Sequence, residues 1–234
     1  MIQHQVRGKG SKGRNQDAGA RVSGARPGDK RRAFYLWPFI FCLLPLVTGG
    51  CAGGRSYEEH HYILEAIRPG APEPLRRDAT LEVHRFSVDT AFAGKGLVYR
   101  LGEMKYETDY YRQFLIAPGT MITERTRRWL ADSGLFHYVL PVGSRVTPTY
   151  TLEGNVTALY GDFADESAPA AVMEIRFFLL DNAGGRERIV FAQTYRAATP
   201  VRDRTAEVFL TALNTSLAEI LTRLEADLRK TLAE

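Results

Sequence analysis

Cysteine is scarce in this chain of 234 residues, which contains only Cys42 and Cys51. Cys42 lies inside an apolar run with the features of a cleaved signal peptide, so Cys51 would be the one cysteine of the mature chain. A single cysteine cannot form a disulfide bond within the chain or build a cysteine-based metal site. The sequence therefore predicts a mature domain that folds without either.

Recognisable catalytic motifs are also absent from the sequence. It has no H-E-x-x-H motif, no G-x-S-x-G motif and no G-x-x-x-x-G-K-[ST] phosphate loop, and the glycine pair within 94–96 is typical of a turn. Asp162, Asp165 and Glu166 share one loop, but they lack the alternating ligands and the terminal glutamate of a calcium loop. We therefore expect no enzyme activity, no catalytic residues, no cofactor and no bound metal.

Long hydrophobic runs are limited to residues 33–47. A transmembrane helix needs about 20 apolar residues, and the interior of a buried helix would tolerate neither Pro38 nor Pro45. Three cations at 30–32 precede the run, and small residues at 48–50 follow it. This order is typical of a secretory signal peptide.

Cys51 follows these small residues directly, and the arrangement resembles the lipobox of bacterial lipoproteins. The resemblance implies cleavage between Gly50 and Cys51, and acylation of Cys51 with chains such as palmitate. Thr48 departs from the pattern, because that family usually has leucine three positions before the cysteine. A plain secretory signal and a short membrane anchor are the alternatives.

Residues 1–29 are polar, glycine-rich and basic, a composition that cannot bury enough apolar surface to fold. They are either a disordered leader or the result of a start assigned too early, with Val22 as a candidate start. Residues 1–50 contain nine of the 31 lysines and arginines and two of the 27 acidic residues, so the chain from Cys51 onward has a net charge of −3. We therefore expect the mature chain not to bind nucleic acid.

The chain after the signal peptide is about the length of one domain. We expect a signal peptide at 30–50, a lipidated cysteine and tether at 51–59, and one periplasmic domain at 60–234. The run at 170–180 is nearly all apolar, which predicts a central strand. Alternating apolar residues and turn signals predict the other strands, at 62–64, 81–86, 97–101, 106–114, 136–140, 150–160 and 189–196.

Two helices are predicted from apolar residues at helical spacing. The first has its N-cap at Gly119 or Thr120, and the arginines within 125–128 are expected to face solvent. The second spans 204–232 and is about 40 Å long at about 1.5 Å per residue. Its final turns are expected to project, to pack on another subunit of a homo-oligomer, or to fray. Its apolar stripe comprises Phe209, Leu213, Leu217, Ile220, Leu224 and Leu228.

The order of four stretches resembles the auxiliary lipoproteins of ABC-type transport systems, which include the PqiC-like lipoproteins. These stretches are Tyr62–Leu64, Gly96–Arg100, Pro118–Phe136 and Thr211–Asn214. The resemblance implies an α/β fold, with a mixed, mostly antiparallel sheet flanked by two main helices. It also implies an MCE-domain protein and an ABC permease and ATPase as partners, which together move lipids between the two membranes of the envelope.

The residue after the lipidated cysteine predicts the membrane. Lipoproteins with aspartate at that position commonly stay in the inner membrane; this chain has Ala52, so we expect the periplasmic face of the outer membrane. A tether at 52–59 reaches at most about 28 Å when extended. A partner would then have to span the periplasm, and the terminal helix and the tyrosines within 106–111 are candidate surfaces for it. The alternative function is an envelope assembly or cell-wall synthase activator lipoprotein.

Overall fold

The structure, a computed structural model, describes residues 58–71 and 78–233. The predicted leader, the signal peptide, the cleavage site at Gly50 and the lipidation site at Cys51 lie outside the described residues. Two helices, α1 (Pro118–Asp132) and α2 (Ala206–Thr231), pack with nine strands in the described domain. The strands are β1 (His60–Tyr62), β2 (Thr80–Val83), β3 (Ser87–Val88), β4 (Gly96–Arg100), β5 (Tyr106–Phe114), β6 (Tyr138–Leu140), β7 (Tyr150–Asp162), β8 (Ala170–Asp181) and β9 (Arg188–Pro200).

These nine strands form one mixed sheet. β8 pairs antiparallel with β7 on one side and with β9 on the other, along nearly the whole of each strand. The opposite edge of β7 pairs in succession with β2, β3 and β4, each in parallel orientation. β6 adds parallel to β2, β5 adds antiparallel to β4, and β1 adds parallel to β5. The longest ladders are antiparallel, so the sheet and its two helices confirm the predicted fold class.

One hydrophobic core joins the helices to the sheet. α2 packs on β8 and β9, α1 packs on β2, β3 and β6, and the two helices contact each other. Met173, Ile175 and Phe177 alternate along β8 and are fully buried, and the predicted apolar stripe of α2 is buried along its whole length. Each fully buried side chain of this size contributes about 1.5–3 kcal/mol of transfer free energy. The apolar run at 170–180 and the helical period in α2 therefore identified the core correctly.

Several predicted element boundaries are wrong: the strand predicted at 81–86 ends at Val83, the strand predicted at 189–196 continues to Pro200, and three further boundaries have a visible cause. The first strand ends at Tyr62, because the carbonyl oxygen of Leu64 and the amide of Glu65 bind side chains of Arg125 and Asn214 rather than a neighbouring strand. β6 begins at Tyr138, because Phe136 is buried beside the helices before the strand starts. The N-cap of α1 is Ala117 rather than Gly119 or Thr120, because Pro118 occupies the first helical turn, where its missing N–H costs nothing.

The final turns of α2 pack against their own domain. Leu228 and Leu232 are both buried in the core, and the amide of Leu232 donates to the carbonyl oxygen of Leu228 at 2.9 Å. The helix therefore neither projects nor frays within the described residues, and its last turns are covered without a second subunit. Neither α1 nor α2 is long and apolar enough to cross a membrane.

Candidate functional site

Residues 58–71, termed the anchor segment, connect the predicted lipid tether to the folded domain. Tyr62 donates its hydroxyl proton to Glu207 Oε1 at 2.7 Å, and the amide of Glu65 donates to Asn214 Oδ1 at 2.9 Å. Between them, Leu64 is fully buried and its carbonyl oxygen accepts a hydrogen bond from Arg125 Nε at 2.8 Å. The anchor segment is therefore bound to both helices as well as to the edge of the sheet.

A buried carboxylate holds the far end of the anchor segment. Glu225 of α2 accepts two hydrogen bonds from Arg68, each at 2.9 Å, and one from Trp129 Nε1 at 2.8 Å. Arg229, one turn along the helix, donates to the same carboxylate at 2.8 Å. The side chains of Arg68 and Glu225 are only 9% and 8% exposed, so this pair lies within the core.

The electrostatics of Glu225 favour its ionised form. Burial by itself raises the pKa of Glu225, but the hydrogen bonds from Arg68 and Trp129 outweigh that effect, so the pKa lies below its ordinary value. The sequence prediction missed this cluster. The sequence contained one signal for it: the charged residue Glu225 directly follows Leu224, a member of the apolar stripe of α2.

The arginines of α1 do not all face solvent as predicted. Arg125 is partly buried, because its guanidinium reaches across to Leu64 of the anchor segment. Arg127 and Arg128 both donate to Glu124, at 2.7 Å and 3.0 Å. The hydrogen bond from Arg127 is the main cause that lowers the pKa of Glu124 to about 2. This cluster forms ion pairs within one helix.

β5 contains a large bulge next to β1. Leu97 pairs with Asp109, but Gly96 pairs with Gln113, so residues 110–112 of β5 have no counterpart on β4. The Asp109 carboxylate accepts hydrogen bonds from the backbone amides of Tyr111 and Arg112, at 2.9 Å and 3.0 Å. These bonds hold the extra residues in one conformation, and bulges of this kind redirect side chains.

Gly96 is required for this bulge by the close approach of the two strands. A Cβ atom at position 96 would lie 2.4 Å from Thr108 Cγ2 and 2.8 Å from the carbonyl oxygen of Asp109. Real Cβ atoms do not approach backbone oxygens that closely, so any larger residue would displace β5. The sequence prediction treated the glycine pair within 94–96 as a simple turn and missed this requirement.

The predicted aromatic surface of the hairpin divides into two parts. The ring of Tyr106 packs edge-on against Tyr160, with centroids 5.6 Å apart, and lies 6.4 Å from Phe92. Tyr110 and Tyr111 stand on the bulge instead and are 74% and 45% exposed. Tyr106 is itself 46% exposed, so both parts remain accessible, and Tyr110 on the bulge beside β1 is the most exposed of the three tyrosines.

The acidic loop after β7 is engaged by its own neighbours. Asp162 forms a bidentate ion pair with Arg100, and Asp165 accepts hydrogen bonds from the amide and hydroxyl of Ser167. Glu166 lies 3.3 Å from Arg204. In the described part of the chain, no cluster of histidine, cysteine or acidic side chains is arranged to hold a metal ion.

A shallow groove of about 390 Å³ lies at the start of α1. Two apolar side chains, Ile116 and Val142, line the groove. The polar side chains that line it are Arg85, Thr120, Thr123 and Glu124. Arg85 donates to the hydroxyl of Thr120 at 2.8 Å, across its wall. The groove continues the exposed surface that begins at the bulge of β5, since Ile116 follows that strand directly.

Comparison with known proteins places these features in a family. The family model described as ABC-type transport auxiliary lipoprotein component matches residues 62–225. A solved structure of a protein from Xanthomonas campestris has a TM-score of 0.62 and 20% sequence identity, and the match covers 70% of this chain and 92% of that chain. A solved structure of an uncharacterized protein has a TM-score of 0.57 and 14% identity, covering 73% and 98%. At these identities the two structures support the fold alone. The comparison with curated proteins gives no match.

Proposed function

Because the chain belongs to the ABC-type transport auxiliary lipoprotein family, we propose that it is a non-catalytic, lipid-anchored component of a system that moves lipids between the two envelope membranes. The observation that carries this proposal is the family match over residues 62–225, which begins shortly after a lipobox-like sequence ending at Cys51. The ionised clusters of the domain have the features of structural ion pairs. Glu124, Asp162 and Glu225 have lowered pKa values and each contacts an arginine, as in structural ion pairs.

Cys51 is the proposed point of lipid attachment, with cleavage after Gly50. Each buried CH₂ group of an acyl chain contributes about 0.8 kcal/mol, and one chain alone gives only marginal binding. The three chains of this class of lipoprotein would hold the protein on the membrane throughout its lifetime. The domains that follow from this proposal are the signal peptide at 30–50, the tether at 51–59 and the family domain at 60–234.

The outer membrane is the proposed location. Aspartate directly after the lipidated cysteine would retain a lipoprotein in the inner membrane, and this chain has Ala52 at that position. The tether reaches at most about 28 Å, so the domain cannot by itself contact an inner-membrane permease. A partner that spans the periplasm is therefore required. An MCE-domain assembly, working with an ABC permease and ATPase, has the required extent.

Cross-linking in living cells followed by affinity purification of the full-length lipoprotein tests the proposed partners. We expect an MCE-domain protein among the captured products, together with its permease and ATPase. Capture of cell-wall synthases instead would support the alternative function as an envelope assembly or cell-wall synthase activator. Loss of outer-membrane barrier function on deletion of the gene, restored by the intact gene, would support a role in lipid transport.

The Ala52→Asp variant tests the location. Separation of the two membranes by density gradient should place the wild-type protein in the outer membrane and the variant in the inner membrane. Ala52→Ser is the matched control and should stay with the wild type. Wild-type protein in the inner-membrane fraction would contradict both the location and the need for a partner that spans the periplasm.

A further inference from the structure

The position of β1 limits how far one edge of the domain can lie from the membrane. β1 begins at His60, nine residues after Cys51, and it pairs only with β5 in the described sheet. A lipid on Cys51 would keep this edge within roughly 30 Å of the bilayer surface, even with the tether fully extended. β9 forms the opposite edge of the sheet, beyond β8 and β7.

Several exposed apolar side chains lie at the edge formed by β1 and β5. The amide of Leu115 donates to the carbonyl oxygen of Tyr62 at 2.8 Å, which places Ile63 beside Leu115. Tyr110 stands on the bulge of β5, and Ile116 follows the end of that strand. We term these four residues the anchor-side patch. Their exposed fractions are 74% for Tyr110, 51% for Leu115, 45% for Ile63 and 44% for Ile116.

The structure uses specific residues to keep this patch exposed. Asp109 binds two amides of the bulge, Gln113 donates its side-chain amide to the carbonyl oxygen of Tyr110, and Gly96 allows the close approach of β4. A regular strand would need none of these features. Tyr110 is one of the extra residues of the bulge, and its ring is 74% exposed there.

The chemistry of the patch suits a lipid surface. Tyrosine is enriched at the interface between lipid headgroups and acyl chains, and aliphatic side chains next to it can enter the outer part of the acyl layer. Lys95 and Arg112 lie at the rim of the patch, since Lys95 Nζ donates to the carbonyl oxygen of Leu115 and Arg112 pairs with His60 in the ladder. A net charge of −3 for the chain from Cys51 onward argues against attraction of the whole domain to anionic lipid. Contact through tyrosine and aliphatic side chains does not depend on such attraction.

Because the tether is short, even a weak contact between the anchor-side patch and lipid is sufficient to orient the domain. A linker of nine residues or fewer confines the attached domain to the neighbourhood of the lipid, at an effective concentration on the order of millimolar. Four exposed side chains that bind lipid too weakly to recruit a free protein can therefore still fix the orientation of a tethered one. We propose that the anchor-side patch rests on the bilayer surface and orients the domain with β9, at the opposite edge of the sheet, away from the membrane. This inference depends on the proposed lipid anchor at Cys51.

Labelling at single cysteines tests the orientation. Cys51 is acylated and Cys42 is removed in the proposed mature protein, so Tyr110→Cys or Leu115→Cys would introduce the one reactive thiol. Ile189→Cys on β9 is the matched control, because Ile189 is an aliphatic residue of similar exposure, at 59%, on the opposite edge of the sheet. Each full-length lipidated variant would carry an environment-sensitive fluorophore and be placed in vesicles of phosphatidylethanolamine and phosphatidylglycerol, with or without nitroxide-labelled headgroups.

We expect severalfold quenching of the labels at positions 110 and 115 by the nitroxide lipids, and little quenching at position 189. Circular dichroism of each variant checks that the domain is folded, and agreement between the two patch positions guards against a local effect of either substitution.

Equal, weak quenching at all three positions in vesicles that do carry the protein would overturn the inference and leave the anchor intact. Failure of the protein to float with the vesicles would overturn the anchor and the inference together. Shielding of the patch labels in detergent alone, or only in native envelopes, would assign the patch to a second copy or to a protein partner and would also overturn the inference.

Discussion

A single carboxylate, Glu225, connects three parts of the domain that are distant in sequence. Its oxygens accept hydrogen bonds from Arg68 of the anchor segment, Trp129 of α1 and Arg229 of α2. Removing one partner of a buried ion pair leaves the other charge without compensation, which costs about 3–5 kcal/mol. The fold therefore depends on the charge of this residue more than on that of any exposed glutamate.

Glu225→Gln should lower the free energy of unfolding by about 3 kcal/mol, because the amide cannot balance the buried guanidinium of Arg68. Urea denaturation of the mature domain at neutral pH measures this change. Glu219→Gln is the control on the same helix, since Glu219 is 53% exposed and contacts Arg223 at 3.7 Å, and we expect a change within about 0.5 kcal/mol. Similar small effects for both variants would show that the cluster contributes little.

The stability of the wild-type protein and that of Glu225→Gln should depend differently on pH. The folded-state pKa of Glu225 lies below its unfolded value of about 4.3. Its ionised form therefore stabilises the fold above that pH, and the stabilisation is lost as pH falls through the folded-state pKa. The gap in stability between wild type and Glu225→Gln should be constant near neutrality and should shrink below about pH 4. A gap that stays unchanged in acid would mean that the carboxylate acts through shape rather than charge.

Gly96→Ala should destabilise the domain by about 1–3 kcal/mol, because the new methyl group would overlap Thr108 and the backbone of Asp109. Gly94→Ala is the matched control two residues earlier, where an added Cβ meets nothing within 4 Å. Thermal unfolding of the two variants measures the difference. If both alanines are tolerated equally, the bulge of β5 is able to relax.

At the level of elements, periodic patterns in the sequence predicted most of the fold. The nearly continuous apolar run at 170–180 identified β8, and the helical spacing from Phe209 to Leu228 identified α2, because burial leaves a regular signature in the sequence. Ends of elements were less predictable. The start of α1 at Pro118 depends on a local backbone preference rather than on the helical period.

The candidate site was less predictable than the fold, for a physical reason. Cys51 and its flanking residues form a contiguous motif, so the sequence alone suggests the lipid anchor, which stays a prediction because it lies outside the described residues. The cluster at Glu225 joins residues separated by 157 and 96 positions, and the bulge of β5 depends on a contact between two strands. Such features arise only from tertiary packing. No single stretch of the sequence contains a pattern that predicts them.

The anchor segment should be held in place by its contacts to α2. Asn214→Ala removes the acceptor of the Glu65 amide, and we expect hydrogen exchange at that amide to become about fivefold faster, which corresponds to about 1 kcal/mol. Asn214→Asp retains an oxygen at the same position and should preserve the protection. Unchanged exchange in the alanine variant would show that the neighbouring contacts of Tyr62 and Leu64 are sufficient.

At the level of the whole molecule, the anchor and the domain are expected to behave as separable parts. Cys51→Ser should abolish lipidation while leaving the domain folded, because the described core includes no residue before 58. Membrane fractionation should then recover the variant in the soluble periplasmic fraction, with the circular dichroism of the folded domain. Sedimentation of the variant with membranes, as for wild type, would contradict the assignment of the anchor.

The route of the anchor segment also determines how mechanical load would enter the protein. A pull on the lipid is transmitted along the chain to β1, then to the contacts of Tyr62 and Glu65 with α2, and finally to Arg68 and its buried carboxylate. These contacts follow one another along the chain. The contacts farther from the lipid therefore carry tension only after those nearer to it have broken. Strain from a moving membrane would thus be taken up first by a short segment on the rim of the fold, before it reaches β8 and β9 through α2.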